Sequence, residues 1–142
     1  ALFQFLVANT DWSMIKGPDD EGCCHNGKVL TVPGSTDNWV VLPYDFDQAG
    51  LINTKYSMPA SGLKISSVTK RLYRGRCLHN GQLSETIKEF NEKRPELERH
   101  LVPKELAERD QRKARSYVGA FFDIINDPGK QQRLLYEACV GN

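Results

Sequence analysis

The chain has 142 residues, 39% of them apolar and 26% charged, which is one domain's worth of sequence with enough apolar side chain for a real core. No apolar run approaches the length that crosses a membrane, and the composition is ordinary for a soluble protein. The formal net charge of +1 hides an asymmetry: residues 1–54 hold seven acids and two bases, whereas residues 55–142 hold seventeen bases and eleven acids. The acidic front half suits a metal cation, and because the bases of the rear half alternate with acids, no nucleic-acid partner is expected.

The opening "ALFQFLVANT" reads as the last turns of a buried helix, with Leu2, Phe5, Leu6 and Asn9 at helical spacing. The chain starts on such a segment, without methionine or a charged leader, which a mature chain, an expressed fragment and an incompletely read gene would all show. A loop rich in Gly, Asp and Asn follows, and then two short β-branched runs, "GKVLTV" and "NWVVLP", which predict a hairpin around "PGSTDN". If Val32 and Trp39 close that hairpin, paired positions sum to 71 and Asn26 stands opposite Asp45. In "PYDFDQAG", continuation of the strand would put Asp45 and Asp47 on one face, with Tyr44 and Phe46 turned to the core. The segment from Leu51 to Cys77 is irregular, with one helical or extended patch around Val68 to Tyr73.

From Ser84 the pattern becomes helical. Ser84 is the expected N-cap of a helix that Pro95 breaks or restarts, and a second helix is expected from Pro103 until "DPGK" stops it. Leu106, Val118, Phe121, Phe122 and Ile125 would form its apolar face, and "QQRLLYEACV" a short last helix. The expected class is α+β.

Four cysteines are present, none in a C-x-x-C spacing. Cys23 and Cys24 are expected not to bridge to each other. Cys23, Cys24 and His25 together invite a zinc reading, and a bridge from Cys77 to either of the pair suits an oxidising compartment. The "KRLYRGR" run, with Lys70, Arg71, Arg74 and Arg76, could grip an oxyanion or form a solvated rim whose arginine stems cover Tyr73.

Two carboxylates as close as Asp45 and Asp47 repel unless a cation lies between them, and a side-chain amide at the mouth of the hairpin adds a further hard oxygen. Asp11, at the start of the loop that ends at Asn26, supplies a third carboxylate. Buried helix, loop Asp, Asn, hairpin, Asp: in this order the chain resembles the C-terminal lobe of the protein-kinase-like superfamily. "NTDWS", "HN" and "LPYDFDQAG" look most like the atypical spore-coat (CotH-like) kinases, and HipA-like kinases are more distantly similar. An uncharacterised bacterial family with "NTDWS…HN…PYDFD" and "RLYRG" segments seems closer still. The resemblance covers roughly residues 2–77, with the helical tail merely compatible.

The resemblance implies a kinase-like C-lobe within a single domain, 1–142, in which residues 1–83 bear the site and 84–142 form a helical tail. It implies an ATP- and Mg²⁺-dependent phosphotransferase acting on a hydroxyl, most naturally of a protein. Asp11 would orient or deprotonate the acceptor. Asn26 and Asp45 would hold Mg²⁺ on the nucleotide phosphates, Asp47 would add a second-metal or outer carboxylate, and His25 would sit near phosphate. For compartment the resemblance leans to the cell envelope or export. Two departures stand out. Asp11 and Asn26 are fifteen positions apart, against about five in ordinary kinases, so the intervening loop must bulge. No glycine-rich loop, and no clear strand lysine with a helix glutamate, is available, so the nucleotide-covering lobe is expected elsewhere and, on the resemblance, Ala1 is expected to be an internal residue of a longer protein. The rival readings are a catalytically inactive kinase-like binding module and a metal-dependent phosphodiesterase or hydrolase, for which His25 or Lys28 would help to activate water.

Overall fold

The structure, a computed structural model, describes residues 1–16, 22–35 and 39–141. It is a small mixed α+β protein. Among the described residues it contains five helices, α1 (Leu2–Val7), α2 (Leu83–Glu92), α3 (Arg94–Leu101), α4 (Glu108–Ile125) and α5 (Pro128–Gln131). One antiparallel sheet pairs β1 (Gly27–Thr31) with β2 (Trp39–Pro43). No helix among the described residues is long and apolar enough to cross a membrane. Two compact units emerge: Ala1–Ala8 with Arg71–Asn142, and Asn9–Lys70.

The first unit is helical. Along α4 the residues Val118, Phe121, Phe122 and Ile125 repeat at i, i+3, i+4 and i+7, so one stripe is buried and the rest is wet. Against that stripe pack Phe5 of α1, with ring centroids 6.2 Å from Phe121, and Phe90 of α2 at 5.7 Å. Tyr73 meets Phe5 edge-on at 5.9 Å. Gly75 is buried beside it, and a Cβ there would run into the Tyr73 ring, which is why "YRG" needs glycine. The Arg71 guanidinium donates to the Leu6 carbonyl at 3.2 Å and to the Tyr117 carbonyl at 2.6 Å, and lies 3.9 Å from the Tyr117 ring centroid. Burial lowers its pKa and raises those of Tyr73 and Tyr117. Arg71 therefore pins main chain, and its fork is not free to grip a substrate oxyanion.

Helix starts differ from expectation. Leu83, not a Ser84 cap, opens α2, because a 3-10 turn over Cys77–Gln82 runs straight into it. Pro95 does restart the chain as α3, at a position in the first turn where its missing N–H is not needed. Pro103 does not begin α4, which starts at Glu108 after Ala107, and Leu106 is left 40% exposed outside the helix. "DPGK" starts an element as well as ending one: Asp127 caps α5 by accepting the Lys130 N–H at 2.9 Å, and α5 runs on into a π-helical turn, Gln132–Tyr136.

The cysteines pair otherwise than expected. Cys77 bonds Cys139, 62 positions away, and Cys23 bonds Cys24 across a cis peptide. Among the described residues, Cys23, Cys24 and His25 form no group of side chains that could hold a metal ion, so the zinc reading gains no support.

The second unit is built on the β1–β2 ribbon and on loops. Its register pairs Gly27 with Pro43, Val29 with Val41 and Thr31 with Trp39, so partners sum to 70, one less than expected. The ribbon is apolar and exposed on both faces: Trp39 is 62% exposed, Val40 60% and Leu42 52%. Tyr44 faces water too, at 54%, with the Lys28 ammonium 5.6 Å from its ring centroid, and is not a core residue.

Candidate functional site

Helix α1 ends at Ala8, whose left-handed backbone (φ 51°) stops the helix and hands its N–H back to Gln4 and Phe5. The chain then enters Asn9, Thr10 and Asp11. Asn9 is 1% exposed, and both ends of its amide are used. Its Oδ1 accepts the Asp11 N–H at 2.9 Å, and its Nδ2 donates to the Asp45 carbonyl at 3.0 Å. One buried amide thus ties the start of the first loop to the exit of β2.

The fifteen-residue separation of Asp11 and Asn26 is closed by an isolated antiparallel bridge. Ser13 N–H donates to the His25 carbonyl at 3.1 Å and His25 N–H to the Ser13 carbonyl at 2.9 Å, so the intervening segment leaves and returns at one point. Residues 17–21 of that segment lie outside the described residues. Asn26 then takes a left-handed backbone (φ 50°), which asparagine tolerates better than most side chains, and is buried at 8% exposure. Its Nδ2 donates to the Asp11 carbonyl at 2.8 Å and to Asp11 Oδ2 at 3.0 Å. The other carboxylate oxygen, Oδ1, lies 2.9 Å from His25 Nε2, and the side chains of both His25 and Asp11 are about one-third exposed. Asp11 is therefore gripped by two neighbours on its two oxygens and still reaches solvent. With its Nδ2 committed, Asn26 has its amide oxygen left to offer a ligand.

Asp45 and Asp47 do not share a strand face, because β2 ends at Pro43. Asp45 Oδ1 accepts the Asp47 N–H at 3.3 Å, a side-chain-to-backbone turn that bends the chain away from the strand. Asp47 is fixed within that turn: its Oδ2 accepts from Gln48 Nε2 at 3.1 Å and its carbonyl from Thr54 Oγ1 at 3.3 Å. Gln48 Oε1 accepts the Met58 N–H at 2.9 Å, and Ala60 N–H reaches Thr10 Oγ1 at 3.4 Å.

The structure thus joins Asp11, His25 and Asn26 by direct hydrogen bonds and attaches the backbone of Asp45 through Asn9, while Asp47 belongs to the turn beyond. His25 is engaged with Asp11. The ladder ends at Gly27–Pro43 and pairs neither Asn26 nor Asp45, so Asn9 and not the ladder makes the connection. Among the described residues no group of three or more His, Cys, Asp or Glu side chains could hold a metal ion. The Asn26 amide and the Asp45 carboxylate are hard oxygen donors, and they do not make an all-protein cage.

Asn9 was missed as a site residue, although its signal was present: a polar amide continuing the apolar spacing of Leu2, Phe5 and Leu6 just past α1 is buried and needs partners. No protein-family model, curated protein or solved structure matches the chain.

Proposed function

We propose that the chain carries the catalytic face of an atypical, CotH-like kinase, an ATP- and Mg²⁺-dependent phosphotransferase whose acceptor is a hydroxyl, most naturally of a protein. The observation that carries this reading is the Asp11–Asn26 bond at 3.0 Å, made across fifteen residues and linked by Asn9 to Asp45. Phosphoryl transfer needs positioning and charge neutralisation more than covalent help, so held oxygens of this kind are the right equipment. Asp11 would orient the acceptor hydroxyl and take its proton, with Asn26 and His25 fixing both carboxylate oxygens. Asn26 Oδ1 and Asp45 would hold Mg²⁺, which when bound neutralises charge on the nucleotide phosphates, and Asp47 would add negative charge beyond them.

The test uses the longest natural protein that carries this sequence. ATP with Mg²⁺ should raise its melting temperature more than either alone, and Asp45→Ala should abolish the rise. Label from γ-labelled ATP should pass to a protein hydroxyl and stop in Asp11→Asn. Metal-dependent stabilisation without transfer would replace the enzyme by a nucleotide-binding module. A second reading has its own support: His25 Nε2 at 2.9 Å from Asp11 is an arrangement that activates water in hydrolases. Cleavage of a phosphodiester without ATP would favour it.

A further inference from the structure

In an antiparallel ribbon, residues paired across the ladder point to the same face and successive residues to opposite faces. The pairs Val29–Val41 and Thr31–Trp39 therefore make one face, and the pairs Leu30–Val40 and Lys28–Leu42 the other. Alternation adds Tyr44 to the second face, where its ring centroid lies 5.6 Å from the Lys28 ammonium, and Val32 just past the end of β1. The two faces differ. Met14 lies over the first at its Gly27 end, its sulfur 3.5 Å from where a Gly27 Cβ would stand, and Val29 and Val41 are 39% and 41% exposed. On the second face Leu30, Val32, Val40, Leu42 and Tyr44 are all between 48% and 60% exposed. Lys28, at the open end, is the one charged side chain of that face among the described residues.

We propose that this second face joins two copies of the chain, ribbon on ribbon, in a symmetric dimer. Area is the first argument. At those exposures the five side chains leave about 500 Å² open on each copy, so two copies would bury about 1,000 Å², the least that a specific interface buries. Shape is the second. Two sheets pack face to face with their strands within about 30°, an angle that comes from their common twist, and a copy of this ribbon has that same twist. Charge counts against other occupants. A nucleic acid, a phosphate group or a charged peptide would find only Lys28 to bind, and its ammonium already sits beside the Tyr44 ring. The two-fold axis would pass near Leu30 and Val40, the middle pair of the face, with the open end of one ribbon over the turn end of the other. That arrangement keeps the Asp45–Asp47 turn of each copy away from its counterpart and leaves both Lys28 ammonium groups in water at the rim. An interface of the smallest specific class holds weakly, with a Kd of order 10–100 µM, so dilute protein is monomeric.

Sedimentation velocity from about 5 to about 500 µM, a range that brackets such a Kd, reads the association. The chain, and the longest natural protein that carries it, should both pass from monomer to dimer and no further. Leu30→Lys and Leu30→Glu each set like charges together at the two-fold axis, and each should raise the Kd at least about tenfold. Mixed in equal amounts, the two variants should dimerise again, as opposed Leu30 positions require. Trp39→Lys, on the other face, should dimerise like the wild type. These side chains are exposed, and circular dichroism checks that each variant keeps its fold; Val40→Lys repeats the test if a Leu30 variant does not. The proposal is overturned if the chain stays monomeric throughout, if its mass grows past the dimer, if the mixture stays monomeric, or if Trp39→Lys disrupts the dimer as Leu30→Lys does. A chain that dimerises while the longer protein does not would assign the face to a segment of that protein, and a monomer that binds neutral phosphatidylcholine vesicles would assign it to lipid. Either result also overturns it.

Discussion

A buried side-chain amide bonded at both ends cannot be removed without stranding two main-chain groups. Asn9→Ala would leave the Asp11 N–H and the Asp45 carbonyl unsatisfied, and is expected to cost about 2–4 kcal/mol by denaturant unfolding. Asn9→Asp keeps an acceptor for Asp11 but sets a carboxylate against the Asp45 carbonyl, so it should be the worse variant at neutral pH and recover as acid protonates it. Equal stability of Asn9→Ala and the wild type would show that this link does not hold the two segments. A second residue gives a pH dependence with a defined sign. The Lys130 N–H bond holds the Asp127 carboxyl below its ordinary pKa, with the Lys130 ammonium a lesser contributor. Because the folded value is depressed, the stabilisation is complete above the ordinary aspartate range and is lost as pH falls through the depressed value. Asp127→Ala should therefore be less stable than the wild type at neutral pH, with the gap closing along the acid limb of a pH–stability curve.

At the scale of elements, the ribbon and α4 show how burial decides what a side chain is worth. Trp39 and Val40 are about 60% exposed, so Trp39→Ser or Val40→Thr should change stability by no more than about 0.5 kcal/mol. Phe121→Ala, at 0% exposure with Phe5, Phe90 and Phe122 around it, should cost about 3–5 kcal/mol. Thermal melts of these variants make the comparison. The same contrast explains what could be read in advance. The buried stripe of α4 was legible because its period of apolar residues is enforced by the core. The two strands were legible from their β-branched runs, but their register was missed by one residue. Register is pinned where one face is buried, and here both faces are wet, so nothing in the apolar pattern distinguishes 71 from 70. The order Asp11, Asn26, hairpin, Asp45 leads to the expectation that these residues gather, and the structure bonds Asp11 to Asn26 while reaching Asp45 only through its backbone and Asn9. The use of His25 on Asp11 could not be foreseen, because it depends on the Ser13–His25 bridge, which no local pattern announces.

At the scale of the molecule, the site and the helical core belong to different stretches of chain. Every residue of the candidate site falls within Asn9–Lys70, whereas α1 packs with α4 and belongs to the unit that resumes at Arg71. A discontinuous unit leaves no mark in composition, since the contacts that define it, such as Phe5 on Phe121, span most of the chain. Two features hold it together. Arg71, the first residue after the interruption, bonds the Leu6 carbonyl just before it, so within this unit the two chain ends are close. Cys77–Cys139 closes a loop of 62 positions, and a parallel bridge beside it joins Arg76 to Val140. A shortened protein in which a glycine-rich linker replaces residues 9–70 should therefore still fold, with near-native helical circular dichroism and a cooperative melt. Reduction of Cys77–Cys139 should lower the stability of both the shortened and the intact protein by about 4 kcal/mol, the loop-closure entropy for that length. The shortened form should lose any Mg²⁺- or ATP-dependent shift that the intact protein has, because Asp11, Asn26 and Asp45 leave with the excised segment. A shortened protein that stays unfolded in oxidising buffer would mean that the helical unit needs residues 9–70 to fold.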